Sequence, residues 1–309
     1  MVARNPFVGV LAVALVLVFV TACSRDHDDT VGGAPDFDES AWRADVETWR
    51  QGRLDRLTAE DGWLSLMALA FPGEGEWSVG RSPDADLIMV SGPERWGQLT
   101  IGQYQAWFEA ADDAVLVDGS APSGRVGILD EEASDSMSVA AGTGAFRVQR
   151  RPSGLAFRAR DSQAATRLNF AGVQHFPVSL DWRIEAEWQP HDPPRDIEVA
   201  NVLGELIMTG NPGRAIFEID DQTFILEALE ADDALFFIFA DRTSGRETFG
   251  LGRFLYSDLP VNARVVLDFN RAYNPPCAFT EFTSCPLPPQ SNRLDLRVEA
   301  GELRPADAY

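Results

Sequence analysis

Lysine is missing from this chain altogether: all 26 of its basic side chains, in 309 residues, are arginines. No residue can therefore form a Schiff base, hold a pyridoxal group, complete a Ser-Lys dyad or act as the lysine of a phosphate-binding P-loop. Catalytic signatures are absent too, with no Gly-x-Ser-x-Gly elbow, no His-Glu-x-x-His and no Gly-x-Gly-x-x-Gly, which leaves an ordinary α/β-hydrolase, a zincin and a dinucleotide-binding fold unsupported. Positive charge is short as well. Against 48 acidic residues the net charge is -22, and so acidic a surface repels nucleic acid and anionic lipid headgroups. Neither is expected as a partner. Histidines number three: His27, His175 and His191. Of these, His175 beside Phe176 is the one expected to be held in a fold, either as a structural imidazole or as a member of a dispersed triad.

What is present begins at the N-terminus. An apolar run from Phe7 to Val20 follows the single basic residue Arg4 and closes on Val20-Thr21-Ala22-Cys23. A charged start, an apolar middle and small residues before a cut describe a secretory signal peptide, and the run is short for a membrane span of ~20 residues. The Cys at the cut resembles a bacterial lipobox, which implies acylation of Cys23 and removal of residues 1–22. Acyl chains contribute about 0.8 kcal/mol per buried methylene, enough for stable anchoring when two or more are attached. Ser24, where an Asp would favour the inner membrane, implies the outer membrane, facing the periplasm. Residues 23–40 are acidic and non-periodic and read as a tether.

In that oxidising compartment Cys277 and Cys285 remain. Their even count and spacing point to a disulfide closing a Pro-rich loop; a metal site is the other reading, although no C-x2-C spacing or nearby His supports it. No cofactor or metal is implied. Acidic clusters such as Asp130-Glu131-Glu132 lack calcium-loop spacing and read as solvated.

Past the tether, Trp42, Val46, Trp49 and Leu57 recur near a 3.6 period, with Arg43, Glu47 and Arg50 on the other face. Thr58 to Asp61 resembles a capping box ahead of the apolar run Trp63 to Phe71, so residues 41–72 are expected to be helical. From Trp77 the pattern changes to short β-rich runs divided by Gly, Pro, Asp and Ser. These include Phe146 to Val148 and Leu155 to Arg158 in a first set, and Trp182 to Trp188, Leu235 to Ala240, Phe254 to Tyr256, Val265 to Phe269 and Leu294 to Val298 in a second. Pro190 to Pro194 is expected outside the strands. The fold class is therefore mainly β: a short N-terminal helical segment followed by two sandwich- or barrel-like modules, at 73–162 and 163–309.

Two resemblances sharpen this reading. Gly80-Arg81-Ser82-Pro83 with Val115 to Ser120 resembles the forkhead-associated sandwich, although its phosphate-reading Ser-Arg-x-x-His and its Asn-Gly turn are missing here. More specifically, Val266 to Asn274 (VLDFNRAYN), Pro275 to Thr280 (PPCAFT), Cys285 to Pro289 (CPLPP) and Ala300-Gly301-Glu302 resemble a bacterial lipoprotein-associated family of unknown function, numbered 1684. Asp161, Arg167, Asn169, Phe170, Phe176 and Pro177 match its middle and Gly62-Trp63-Leu64 its start. Phe249 stands where that family usually has Tyr.

Candidate ligand-binding residues follow. Asp268 and Asn270, two apart at a strand end, share a face, and Tyr273 and Asn274 enter the Pro-stiffened loop. They either line a pinned site or satisfy turn chemistry. Asp241 and Thr243 sit in a loop between two β runs. Arg158, Arg160, Arg167 and Arg253 lie on or beside β runs and serve either as ion-paired scaffold or as planar forks for an anion. The expected function is a non-catalytic, periplasm-facing module that binds a small molecule or an envelope protein. The alternatives are an envelope hydrolase built on Asp241, Asp268 and Arg253, and an assembly protein with an exposed apolar patch.

Overall fold

The apolar stripe after the tether does form a helix, α1 (Glu39–Thr58), and its buried residues are Trp42, Val46, Arg53 and Leu57. Spacings of four, seven and four keep these on one face. An arginine in that stripe is unusual and has a partner described below. The computed structural model describes residues 37–306, so the signal segment, Cys23 and nearly all of the tether lie outside the described residues. Residues 39–309 form one compact unit. No helix among the described residues is long and apolar enough to cross a membrane.

The apolar run after α1 departs from the expected helix. Trp63–Ser65 makes one 3-10 turn, and Leu66–Ala70 is a strand, β1. Leu, Met and Ala favour a helix in isolation, but β1 finds a sheet edge to pair with, and tertiary pairing overrides propensity. The remaining strands of the first module are β2 (Gly75–Gly80), β3 (Leu87–Ile88), β4 (Gly97–Ile101), β5 (Ala106–Ala110), β6 (Leu116–Val117), β7 (Arg125–Leu129), β8 (Val139–Ala141), β9 (Gly144–Arg151) and β10 (Gly154–Asp161). They make two five-stranded sheets, ordered β1-β10-β9-β8-β6 and β3-β2-β4-β5-β7. Between them lies one core that includes Trp96, Phe108, Phe146 and Phe157. Along β9 and β10 the inward positions are Phe146, Val148, Leu155, Phe157 and Ala159. The alternate positions therefore face away from that core.

A short helix, α2 (Ala165–Leu168), leads to the second module. Its strands are β11 (Arg183–Ala200), β12 (Leu206–Ile219), β13 (Gln222–Glu227), β14 (Leu229–Ala231), β15 (Ala234–Phe239), β16 (Arg253–Asp258) and β17 (Arg264–Asp268). They form the sheets β13-β12-β11-β17 and β14-β15-β16 over a core that includes Phe217, Leu226, Phe237, Phe239, Leu267 and Phe269. Contrary to expectation, Pro190 to Pro194 lies within β11. The register slips between Pro190, opposite Gly213, and Arg195, opposite Asn211. That bulge lifts Pro193 and Pro194 out of the ladder, where their missing N–H groups are harmless.

Leu294 to Val298 is not a strand. Leu294 N–H does bond Ala240 O at 2.8 Å, but further on side chains replace the ladder. Val298 N–H donates to Asp241 Oδ2 at 2.7 Å, and Val298 O accepts from Arg253 Nη2 at 2.9 Å.

Candidate functional site

Most of the residues expected to bind a ligand are instead bonded to one another inside the protein. Asp241 accepts the Thr243 hydroxyl at 2.9 Å and the Val298 N–H, and forms an ion pair with Arg253 at 3.3 Å. Both members of that pair are fully buried. Arg253 also donates to the carbonyls of Ala300 and Val298 and lies over Phe239, 5.0 Å from its ring centroid. Gly252, just before this strand, has φ +99°, and a Cβ there would sit 2.6 Å from Phe239 O, so only glycine lets the chain approach so closely. Asp268 accepts Trp42 Nε1 at 2.9 Å and the Asn270 side chain at 2.9 Å. Asn270 in turn exchanges hydrogen bonds with the Ser179 backbone. Arg167 donates to the carbonyls of Thr58, Ala59 and Ser162, serving as a C-terminal cap for α1.

The Ala300-Gly301-Glu302 ending has a similar logic. Gly301, at φ +78°, packs where a Cβ would lie 2.3 Å from Ala272 O. Glu302 is buried against Arg53, the odd member of the helix stripe, at 3.2 Å, and accepts the Asn274 N–H at 2.8 Å. Burial still holds the Glu302 carboxyl above the usual range, with Arg53 pulling the other way. Arg53 also reaches Asn274 O at 2.9 Å and lies 4.6 Å from the Tyr273 ring centroid. Composition and motif spacing concealed the Arg53–Glu302 pair. The signal that could have found it is an arginine at an apolar position of an amphipathic helix.

Two expectations need correction. Cys277 and Cys285 are buried free thiols, and no disulfide joins them. From the 3-10 turn at Pro276–Ala278 the Cys277 N–H donates to Cys285 Sγ at 3.0 Å, so the two sulfurs meet as hydrogen-bonded thiols rather than in a disulfide. Hydrogen bonding between the side chains pushes Cys277 up in pKa and Cys285 down. The second correction concerns His191, which is held in the fold: its Nε2 lies 2.9 Å from Glu227, and Arg195 meets the same carboxylate at 3.1 Å.

A different place is open. A cavity of about 1050 Å3 lies where the outward face of β9–β10, the end of α1, β15–β16 and the Cys285 loop meet. Six arginines line it, Arg53, Arg56, Arg150, Arg151, Arg158 and Arg160, against two carboxylates, Asp61 and Glu205. That balance reverses the sign of the chain as a whole. Its opposite wall is aromatic. Phe236 and Tyr256, register partners on β15 and β16, stack at 4.7 Å, and Tyr273 continues the stack 6.5 Å from Tyr256. Desolvation raises the pKa of both tyrosines, so they stay neutral phenols.

Arg158 is the decisive residue. It stands directly opposite Arg147 across the β10–β9 ladder, a like-charge pairing that destabilises a sheet. Arg147 has Asp135 and the Ser136 carbonyl nearby. Arg158 is 5% exposed, its Nε is buried without a hydrogen-bond partner, its guanidinium lies 5.5 Å from the Trp63 ring centroid, and Asp135 supplies an attraction too weak to offset burial. Burial first, then Arg151 and Arg160, lower its pKa to about 10. Arg160, two residues on and on the same face, keeps one bond to Asp61 O at 2.8 Å. Of the predicted site residues, Arg160 and Tyr273 line this cavity, and Cys285 borders it.

The profile described as "Protein of unknown function (DUF1684)" matches residues 168–303. This part of the chain belongs to that family. The DUF1684 segment supplies the aromatic wall and the Cys285 loop, whereas all six cavity arginines precede it. An uncharacterized protein of Haloarcula marismortui, solved by solution NMR, is 32% identical over 46% of this chain and 80% of its own, with a TM-score of 0.39. No curated protein matches the chain.

Proposed function

We propose that this protein is a lipid-anchored module of the bacterial envelope that binds a small anionic molecule in the cavity between its two β modules. The observation that carries this reading is Arg158, a buried guanidinium with no ion-pair partner among the described residues. An uncompensated buried cation is costly to a fold, and a carboxylate or phosphate meeting its fork would supply the missing charge in a low-dielectric site. The neutral aromatic wall suits the apolar body of such a ligand. Anchoring through Cys23, at the outer membrane and facing the periplasm, is the companion proposal; it rests on the lipobox resemblance. A hydrolytic reading would have to work without Asp241 and Asp268, whose carboxylates are engaged internally. For the first module, two stacked five-stranded sheets support a sandwich scaffold, and Arg81 of the forkhead-like turn donates locally to Gly92 O at 3.2 Å.

The test is thermal unfolding of the full chain against phosphate, pyrophosphate and small carboxylates, for wild type and Arg158→Met. An anion at about one hundred times its Kd should add ~2.7 kcal/mol to wild type and little to the variant. Equal responses from the two proteins would refute the site. Loss of fatty-acid labelling in Cys23→Ser would support the anchor, and unchanged labelling would remove it.

A further inference from the structure

The arginine wall leaves a neighbouring space unexplained. A second cavity of about 220 Å3 abuts the first, and Asn201, Ile207, Phe236, Ser284 and Pro286 line both. Beyond those shared residues its walls include Val199, Leu229 and Ile238, members of a buried apolar cluster against which Phe236 packs. Thr209 and the exposed Glu230 complete its lining. The two spaces together run from clustered guanidinium groups to a largely apolar end. A recess of that second kind favours apolar groups. A compact polar anion would fill only the charged half.

We infer that the ligand is a single-chain amphiphile, with a carboxylate or phosphate head on Arg158 and Arg160 and an alkyl tail running past Phe236 and Ile207 into the smaller chamber. This rests on the anion-binding reading above and names the ligand class for that same site. A fork-shaped cation favours a planar or tetrahedral oxyanion, and each methylene carried into an apolar chamber strengthens binding.

The experiment is calorimetric titration of the full chain, in a maltoside detergent, with butyrate, hexanoate and octanoate, with the matching alkyl phosphates, and with octanol. In whichever head series binds, affinity should rise about fourfold per methylene, and octanol should bind far more weakly than octanoate or octyl phosphate. Thr209→Trp, which fills the chamber, should flatten that rise while leaving the shortest chain unchanged; Leu229→Phe is the substitute if it fails to fold. Binding of these anions without dependence on chain length overturns the amphiphile and leaves the anion site standing. Octanol binding as tightly as octanoate overturns the head assignment. If no anion binds, including inorganic phosphate, the anion-binding reading falls and this inference falls with it.

Discussion

Two arginines of this protein are almost equally hidden, each with an unbonded Nε and an aromatic ring beneath it, and they differ in their counter-charge. Arg253 is enclosed by its own chain, with Asp241 facing it and two carbonyls accepting from it. Arg158 is enclosed by two modules that offer it a tryptophan face and a neighbouring cavity. Burial alone therefore does not mark a functional residue; the state of its partners does. The ion-paired arginine ties a segment into the fold, while the one without a counter-ion is a cost that a bound anion would offset.

The largest expected effect breaks the satisfied site. Asp241→Ala leaves Arg253 buried without its counter-charge and should destabilise by about 3–5 kcal/mol, read as a drop in the denaturation midpoint. Glu302→Gln keeps shape and hydrogen-bonding capacity while removing the charge that Arg53 faces; a loss of about 2 kcal/mol is expected in the same measurement. Arg158→Met should have the opposite sign. Relief of an uncompensated charge worth several kcal/mol outweighs a cation–π contact of at most ~2 kcal/mol, so the empty protein should gain on the order of 1 kcal/mol. A destabilised Arg158→Met would erase the contrast with Arg253.

Smallest at neutral pH, and felt only on acidification, is the effect of His175. Burial first, and then Arg50 and Arg53, hold its pKa at about 4, below the ordinary 6.5; Glu47 and Glu302 border the same small recess. The unfolded chain takes up the imidazole proton near 6.5, whereas the folded chain resists until about 4. His175 thus favours folding above pH 6.5, and that contribution is lost as pH falls to about 4. Subtracting the stability curve of His175→Gln from that of wild type should isolate a fall confined to that window.

The β character of the chain was legible because turn residues divide short β-rich runs, and α1 because its stripe keeps one face. The helix expected over Trp63 to Phe71 failed because Leu, Met and Ala do not announce that a sheet edge lies waiting. Leu294 to Val298 looked like a strand because its composition suits one, whereas its backbone is engaged by Asp241 and Arg253. Motif spacing led to Asp241, Asp268 and Asn274 with two readings open, site or turn chemistry, and their side chains make internal bonds. The cavity was half visible. Arg158 and Arg160 share a face two residues apart, and their strand was readable, but the module that covers that face and turns it from surface into pocket begins beyond residue 162.

Helix α1 has a consequence for the order of events in the cell. It precedes every other described element, yet besides bonds to Phe176 and Val178 it is fastened to residues far along the chain: Trp42 to Asp268, Asp45 to Arg271, Arg53 to Asn274 and Glu302. These contacts span 221 to 249 residues, and such distant closures are slow and leave partly folded chains exposed. During synthesis the apolar face of α1 must wait for Asp268 to Glu302, so a chain not yet that long displays Trp42, Val46 and Leu57 to chaperones and proteases alike. Closure of that distant segment onto α1 is the step at which such surveillance would lose its target.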